Sequence, residues 1–236
     1  MQMVILAGGL ATRLGELSRQ TAKSMIIIQG KPFLEYQIEL LKAQGITELL
    51  LCLGHLGEQI EDYFRDGKNF GLNIRYSWES SPLGTGGALR NAAPLIMDEF
   101  MLLYGDSYLP LNYQQVIRFF RRQDTLGTMV IYKNHNKYEK SNIVLNGRRI
   151  LIYDKQAFHP GMHHIDAGLS VFKKKALTLL PAGANAPLDI MLQPLIREGQ
   201  LSAYETEQRF YEIGSRRGIR DFQDYLRIQA AAGLGP

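Results

Sequence analysis

The stretch Val4-Ile5-Leu6-Ala7-Gly8-Gly9-Leu10-Ala11-Thr12-Arg13-Leu14, with Lys23 ten residues beyond Arg13, decides how the chain is read. An apolar strand runs straight into two glycines, then a hydroxyl and two cations. Two adjacent glycines remove the side chains that would keep the backbone away from an anion, and their N–H groups can turn inward as a nest. Arg13 and Lys23 add the positive charge that backbone dipoles alone do not supply. Because the strand starts almost at residue 1, the turn falls at its carboxyl end, where open α/β sheets bind ligands. The pattern therefore predicts a polyphosphate site; a tight β–α connection with a solvated arginine is the structural alternative.

Two common nucleotide fingerprints are excluded. A P-loop requires G-x4-G-K-[ST]; Leu14 stands five residues after Gly9, and Gly30-Lys31 is followed by Pro32. A dinucleotide loop requires G-x-G-x-x-G; Gly84 and Gly86 are followed by Leu89 at the third glycine position.

Outward from the first strand, apolar runs alternate with helical stripes. Strands are expected at 3–6, 48–53, 72–78, 99–104 and 126–132. Helices are expected at Phe33–Leu41 (stopping at Gly45), 57–65, 86–93 and 112–122. This β-α-β-α order predicts a parallel sheet with helices on both faces, and the lack of strict alternation fits strands covered on both sides. After residue 132 the rhythm changes. Ile143–Tyr153 reads as a hairpin with a type I′ turn at Asn146-Gly147, forming a sub-lobe and not an independent domain. A strand at 165–172, short helices at 173–180 and 188–197, strands near 200–204 and 209–213, and a last helix at 216–229 follow. That helix sets Ile219, Phe222, Leu226 and Gln229 on one face. No hexapeptide repeat follows.

The 236 residues are ample for one core, and 45% hydrophobic with 21% charged residues is an ordinary globular composition. The net charge of +4 suits anionic substrates but is dispersed. Lys173-Lys174-Lys175, Arg148-Arg149 and Arg216-Arg217 read as solvated runs at element ends. No basic-aromatic pattern argues for nucleic acid. The single cysteine, Cys52, lies in an apolar strand and excludes an intrachain disulfide. With no charged n-region and no apolar run near the roughly 18 residues of a membrane helix, a cytoplasmic protein without membrane contact is expected.

The opening L-A-G-G-L-A-T-R-L…A-K-S-M resembles the signature of sugar-1-phosphate nucleotidylyltransferases, usually L-A-G-G-x-G-T-R-L…P-K-P-M. The resemblance continues through Gly30-Lys31-Pro32, Leu83-Gly84-Thr85-Gly86-Gly87-Ala88, Tyr104-Gly105-Asp106, Asp166-Ala167-Gly168 and Glu212-Ile213-Gly214-Ser215. It spans nearly the whole chain in order. Among subfamilies the chain is most similar to short bacterial guanylyltransferases acting on D-glycero-α-D-manno-heptose 1-phosphate or mannose 1-phosphate. Ala11 departs from the usual Gly or Ser, Ala22 and Ser24 replace two prolines, and Glu212 stands where Asp is usual. The resemblance implies an α/β, Rossmann-like, mostly parallel mixed sheet of the nucleotide-diphospho-sugar transferase type. It implies one domain over 1–236, with a nucleotide-binding half over about 1–132 and a sugar-phosphate half over about 133–236.

It also implies roles. Leu6, Ala7, Gly8, Gly9 and Thr12 would cradle the nucleotide, and Gly84 and Thr85 would lie against the base. Glu79 falls where relatives place a base-reading side chain. A carboxylate is an acceptor pair that matches guanine's N1–H and N2–H₂, while uracil would be better served by an amide; a solvated strand-end glutamate is the alternative. Asp106, at the carboxyl end of its strand, would hold Mg²⁺, a hard cation suited to carboxylates and phosphate oxygens; an Asx turn or N-cap is the alternative. Glu212 would be the second ligand, or a surface glutamate at a strand end. Asp154, Lys155, Asp166 and Gly168 would meet the sugar phosphate, with a turn lysine and a strand-start aspartate as plainer readings. His159, His163 and His164 suggest zinc, but Pro160-Gly161 and the lack of nearby cysteines read as a loop. Ser107 has no histidine–acid partners in sequence for a triad.

The implied reaction is attack of a sugar 1-phosphate oxygen on the α-phosphorus of a nucleoside triphosphate. Arg13 would hold the β/γ-phosphates, Lys23 would neutralise the α-phosphoryl group, and no general base is required. Uridylyl or cytidylyl transfer and a regulatory subunit that binds nucleotide sugars without making them stay open. A homo-oligomer is compatible with the sequence, which does not fix its size.

Overall fold

The computed structural model describes residues 1–9 and 20–233, so Thr12 and Arg13 lie outside the described residues. Nine strands form one mixed sheet: β1 (Gln2–Leu6), β4 (Glu48–Leu53), β5 (Asn73–Trp78), β6 (Glu99–Tyr104), β8 (Gly127–Lys133), β9 (Ile143–Asn146), β10 (Arg149–Tyr153), β11 (His164–Lys173) and β12 (Leu201–Thr206). Their order is β5-β4-β1-β6-β11-β8-β12-β10-β9. Two short ladders stand apart: β2 (Ile27–Ile28) with β3 (Lys31–Pro32), and β7 (Ser107–Tyr108) with β13 (Tyr211–Glu212).

Helices cover both faces, as the unalternated apolar strands require. On one side lie α1 (Phe33–Ala43), α2 (Glu58–Phe64) and α4 (Tyr113–Arg121), burying Leu34, Ile38, Ile60, Phe64, Val116 and Phe120 with Met3 and Ile5. On the other lie α3 (Gly84–Asn91) and α5 (Asp189–Arg197), burying Leu89, Met191 and Leu195 with Val4 and Leu102. The last helix, α6 (Arg216–Ala231), joins neither layer. Its Phe222 and Leu226 close a third cluster with Phe33, Tyr36, Tyr108 and Ile213. No described helix is long and apolar enough to cross a membrane.

The sheet is mixed, as expected: β1, β4, β5, β6, β8 and β12 run one way, and β11 runs antiparallel between β6 and β8. A strand buried on both faces carries no periodic mark of its direction, so the course of β11 is not readable in its sequence. Two details differ from the sequence expectation. The 143–153 hairpin continues the edge of the main sheet, β10 pairing with β12 and β9 touching β11. Its turn residues are Gly147 and Arg148, since Arg149 pairs with Asn146, and only Gly147 has positive φ, at 58°. That is the II′ signature of glycine at the first central position, not I′.

Register decides where chemistry gathers. Leu6 pairs with Cys52 on one side and Tyr104 on the other, so three carboxyl ends finish level. Leu53 pairs with Trp78, which brings Glu79 to the same edge. Antiparallel β11 presents its start there too, because Leu169 pairs with Leu103.

Candidate active site

At this level edge lies a cavity of about 480 Å³, lined by Leu6, Ala7, Gly8 and Gly9, by Lys23 and Asp106, and by Glu79, Gly84 and Thr85. The sequence-predicted nucleotide residues that are described are thus brought together. The backbone closes around them: Ala7 N–H donates to Cys52 O at 2.9 Å and Gly105 N–H to Leu6 O at 2.9 Å. Gly105 must lack a side chain, since a Cβ would stand 2.9 Å from Leu6 O.

Lys23, on a 3₁₀ turn at Lys23–Met25, makes an ion pair with the Asp106 carboxylate. Asp106 lies between β6 and β7, and its Oδ1 accepts from the Ser107 hydroxyl at 3.3 Å. Among the described residues its carboxylate caps no helix and accepts no backbone N–H, so the Asx-turn and N-cap readings do not describe it.

Glu212 reaches the same place through the β7–β13 ladder, where it pairs with Ser107. Its Oε2 accepts from Gly214 N–H, and its Oε1 accepts from the Ser215 hydroxyl at 3.0 Å. Ser215 Oγ in turn caps α6, accepting Gly218 N–H at 2.9 Å. Burial, foremost, pushes the Glu212 carboxyl above the usual range; Asp106 adds to this and Lys23 opposes it. The two carboxylates supply hard oxygen donors of the kind Mg²⁺ takes, and the Lys23 ammonium supplies none. The fit is to Asp106 and Glu212 alone, since no group of three ligating side chains occurs among the described residues.

Gly218 is pressed against Glu212, so a Cβ there would strike the Glu212 backbone carbonyl and stand 2.5 Å from Oε1. Gly218→Ala is therefore expected to cost about 1–3 kcal/mol, the usual range for overpacking. Thermal unfolding would read this as a Tm lowered by about 2–12 °C at 2–4 °C per kcal/mol.

At another wall of the cavity, Glu79 Oε2 accepts from Leu83 N–H at 3.1 Å, and its Oε1 sits against Gly8 and Gly54. Burial raises its pKa, which the Leu83 bond partly offsets. The glycines of α3 also have a partner within the protein. Gly86 and Gly87 donate N–H bonds to Ala186 O at 2.8 and 3.1 Å, and a Cβ on Gly84 would meet the same carbonyl at 2.8 Å. Thr85 Oγ1 accepts from Leu188 N–H at 2.9 Å. Close approach of the 184–188 backbone accounts for Gly86 and Gly87.

Cys52 and Asn185, which sequence reading left out of the site, also line the cavity. Asn185 Nδ2 donates to Pro82 O at 2.8 Å; nothing in its loop sequence marks it. Burial, with Glu79 adding, pushes the Cys52 thiol up to about 12. Since the thiolate is the reactive form, a disulfide reagent at pH 8 is expected to label native Cys52 at least about a hundredfold more slowly than the unfolded chain. Absorbance of the released thiol checks this.

A second group flanks the cavity at Tyr104. Asp166 accepts from Tyr153 OH at 3.0 Å and from Gly168 N–H at 2.9 Å. Lys155 Nζ lies 3.8 Å from Asp166 Oδ2 and 5.2–5.5 Å from the ring centroids of Tyr153 and Tyr104. Gly168, at φ 88°, abuts the Ser107 side chain. Asp154 is turned elsewhere: Oδ1 accepts from Gln156 and Ala157 N–H at 2.8 and 2.9 Å, and Oδ2 meets His159 at 3.1 Å. Those bonds hold its carboxyl down to about 2 and make it the anchor of its own loop. The three histidines point apart: His159 to Asp154, His164 to Glu205 at 2.7 Å, and His163 against the His135 ring.

Residues 2–181 match the nucleotidyl transferase family. A D-glycero-alpha-D-manno-heptose 1-phosphate guanylyltransferase of Campylobacter jejuni is 40% identical over 49% of this chain and 52% of its own length. A UTP--glucose-1-phosphate uridylyltransferase of Synechocystis sp. is 28% identical over 89% of this chain and 58% of its own. The chain thus spans little more than half of either relative. The crystal structure of HddC from Yersinia pseudotuberculosis, complexed with GMP-PN, superposes with a TM-score of 0.80 at 26% identity, covering 95% of this chain and 99% of that one. A family match over most of the sequence, on a fold whose strand ends converge at one cavity, carries one conclusion: this chain belongs to the nucleotidyl transferase family.

Proposed function

We propose that the chain transfers a nucleoside monophosphate from a nucleoside triphosphate to a sugar 1-phosphate, releasing pyrophosphate. The observation that carries this is the Lys23–Asp106 ion pair in the lining of a cavity walled by Gly8 and Gly9, with Glu212 behind it and close enough to feel both charges. A sugar-phosphate oxygen forms the new bond to the α-phosphorus; the bond from that phosphorus to the bridging oxygen breaks, and its electron pair leaves with pyrophosphate. The attacking oxygen is already anionic, so the protein's work is to align two polyanions and screen their repulsion. The Gly8-Gly9 backbone receives the triphosphate, Lys23 neutralises the α-phosphoryl oxygens, and Arg13 holds the departing phosphates. Asp106 and Glu212 would hold Mg²⁺, which supplies charge neutralisation across the phosphates when bound. Lys155, steadied by Asp166 and two tyrosine faces, clamps the sugar phosphate. The nucleotide side is assigned to about residues 1–132 and the sugar-phosphate side to about 133–236.

GTP is the proposed donor, and a heptose or mannose 1-phosphate the acceptor. Glu79 supports guanine because its Oε1 has no hydrogen-bond partner among the described residues, whereas Oε2 is committed to Leu83. Uridylyl transfer is the second reading, favoured by the Synechocystis relative's name. Pyrophosphate release over four nucleotides, several sugar 1-phosphates and Mg²⁺ decides between them. GTP turnover at least tenfold above UTP, reversed in rank by Glu79→Gln, is expected. No release with any pair would overturn the enzymatic reading.

A further inference from the structure

A groove of about 460 Å³ opens beside α4 and shares no lining residue with the cavity described above. Its walls are Gln115, Arg118, Phe119, Arg122, Gln123 and Arg148. Arg118 and Arg122 stand one helical turn apart, a spacing at which like charges destabilise a helix. Arg148 arrives from a different element, the β9–β10 turn, and adds a third positive charge. Its guanidinium lies 5.3 Å from the Phe119 ring centroid. Phe119 is itself fixed edge-on against Tyr204 of β12, with centroids 5.2 Å apart.

Among the described residues none of these three arginines pairs with a carboxylate, and no acidic side chain lines the groove. Their neighbour Arg121 is treated differently, forming an ion pair with Glu99 at 2.8 Å. The dipole at the end of α4 favours Arg118 and Arg122 there. It does not explain why Arg148, from another element, is stacked on Phe119 in the lining of the same groove. Gathering three unpaired guanidiniums is a cost to the free protein that a bound polyanion would turn into attraction.

We propose that this groove is a second ligand site, taking a small molecule that carries a diphosphate. Planar guanidinium forks match phosphate oxygens in pairs. Two arginines on successive turns with a third in the same groove concentrate charge as a diphosphate does, whereas an acidic peptide spreads its carboxylates along a chain. The volume falls within the roughly 300–1,000 Å³ of small-molecule sites, and Gln115 Nε2 and Gln123 Oε1, the amide ends not bonded to Tyr204 and Phe119, can meet polar groups beyond the phosphates.

Titration calorimetry of the full chain with inorganic pyrophosphate tests this. Two equivalents are expected to bind. Arg118→Gln/Arg122→Gln should weaken one site at least tenfold and leave the other; Arg148→Gln, in an exposed turn, should weaken the same site without touching α4. Lys23→Ala should remove the other equivalent. Pyrophosphate binding unchanged within twofold in both arginine variants would overturn the proposal, as would a polyglutamate peptide that outcompetes pyrophosphate there. If the arginine variants lose a site and Lys23→Ala loses none, the groove stands and the reading of the cavity fails.

Discussion

Lys23→Ala is expected to lower kcat by about two to three orders of magnitude while the chain stays folded, the usual loss on removing one preorganised charge-stabilising donor. The ammonium stands between two carboxylates: it pairs with Asp106, and it opposes the rise in the Glu212 pKa. Its side chain keeps 20% of its exposure, and that of Asp106 keeps 29%, so both charged groups still open onto the cavity. What the variant loses is the balance of charge at the foot of the cavity. With the cation gone, Asp106 and Glu212 repel each other unscreened, and the Glu212 carboxyl rises further above its ordinary range. A raised carboxyl pKa means that the ionised form is lost at higher pH, so the acid limb of the rate profile should shift upward in Lys23→Ala relative to the unmutated chain. Lys23→Arg keeps the charge on a wider, planar group and should restore the position of that limb more fully than kcat. Steady-state pyrophosphate release across pH 4–8, with thermal unfolding as the fold control, gives both quantities. An unmutated rate in Lys23→Ala would end the proposed role.

Much of this site is legible in the sequence because strand ends are. An apolar run followed by glycine or acid marks a carboxyl end, and Leu6-Ala7-Gly8, Tyr104-Gly105-Asp106 and Trp78-Glu79 all finish on one edge. Parallel pairing then does the gathering, and one register error would turn these side chains to the opposite face. What stayed hidden depends on contacts between distant segments. The need for glycine at Gly86 and Gly87 is set by the carbonyls of 184–188, about a hundred residues on, and no local pattern reports it. Asn185 enters the cavity by the same docking. Asp154 and Lys155 are adjacent and look alike as sugar contacts, yet Asp154 spends both oxygens on its own loop while Lys155 turns to Asp166. The direction of β11 was unreadable because both its faces are covered, and its antiparallel course carries Asp166 and Gly168 to the cavity edge.

Phe222→Ala is expected to cost about 3–5 kcal/mol, the usual price of truncating a buried phenylalanine, and so to lower Tm by about 6–20 °C at 2–4 °C per kcal/mol. The ring is fully buried, with centroids 4.9 Å from Tyr108, 5.1 Å from Phe33 and 5.5 Å from Tyr36. These neighbours tie α6 to α1 and to β7; Leu226 joins the cluster and Ile219 and Tyr225 pack against it, while Ile228 is 64% exposed. Glu212 depends on that docking, because the donors to its carboxylate, Gly214 N–H and Ser215 Oγ, sit at the start of α6, and β13 is a two-residue strand held by β7. Loosening the helix therefore loosens one of the two carboxylates proposed to face the phosphates. Activity at 25 °C should fall by more than the unfolded fraction accounts for, and the Mg²⁺ concentration for half-maximal rate should rise. Phe222→Leu, which refills most of the space, should recover both. Calorimetry paired with pyrophosphate release separates the effects: a large drop in Tm with rate and Mg²⁺ dependence unchanged at 25 °C would show that α6 supports the fold without supporting Glu212.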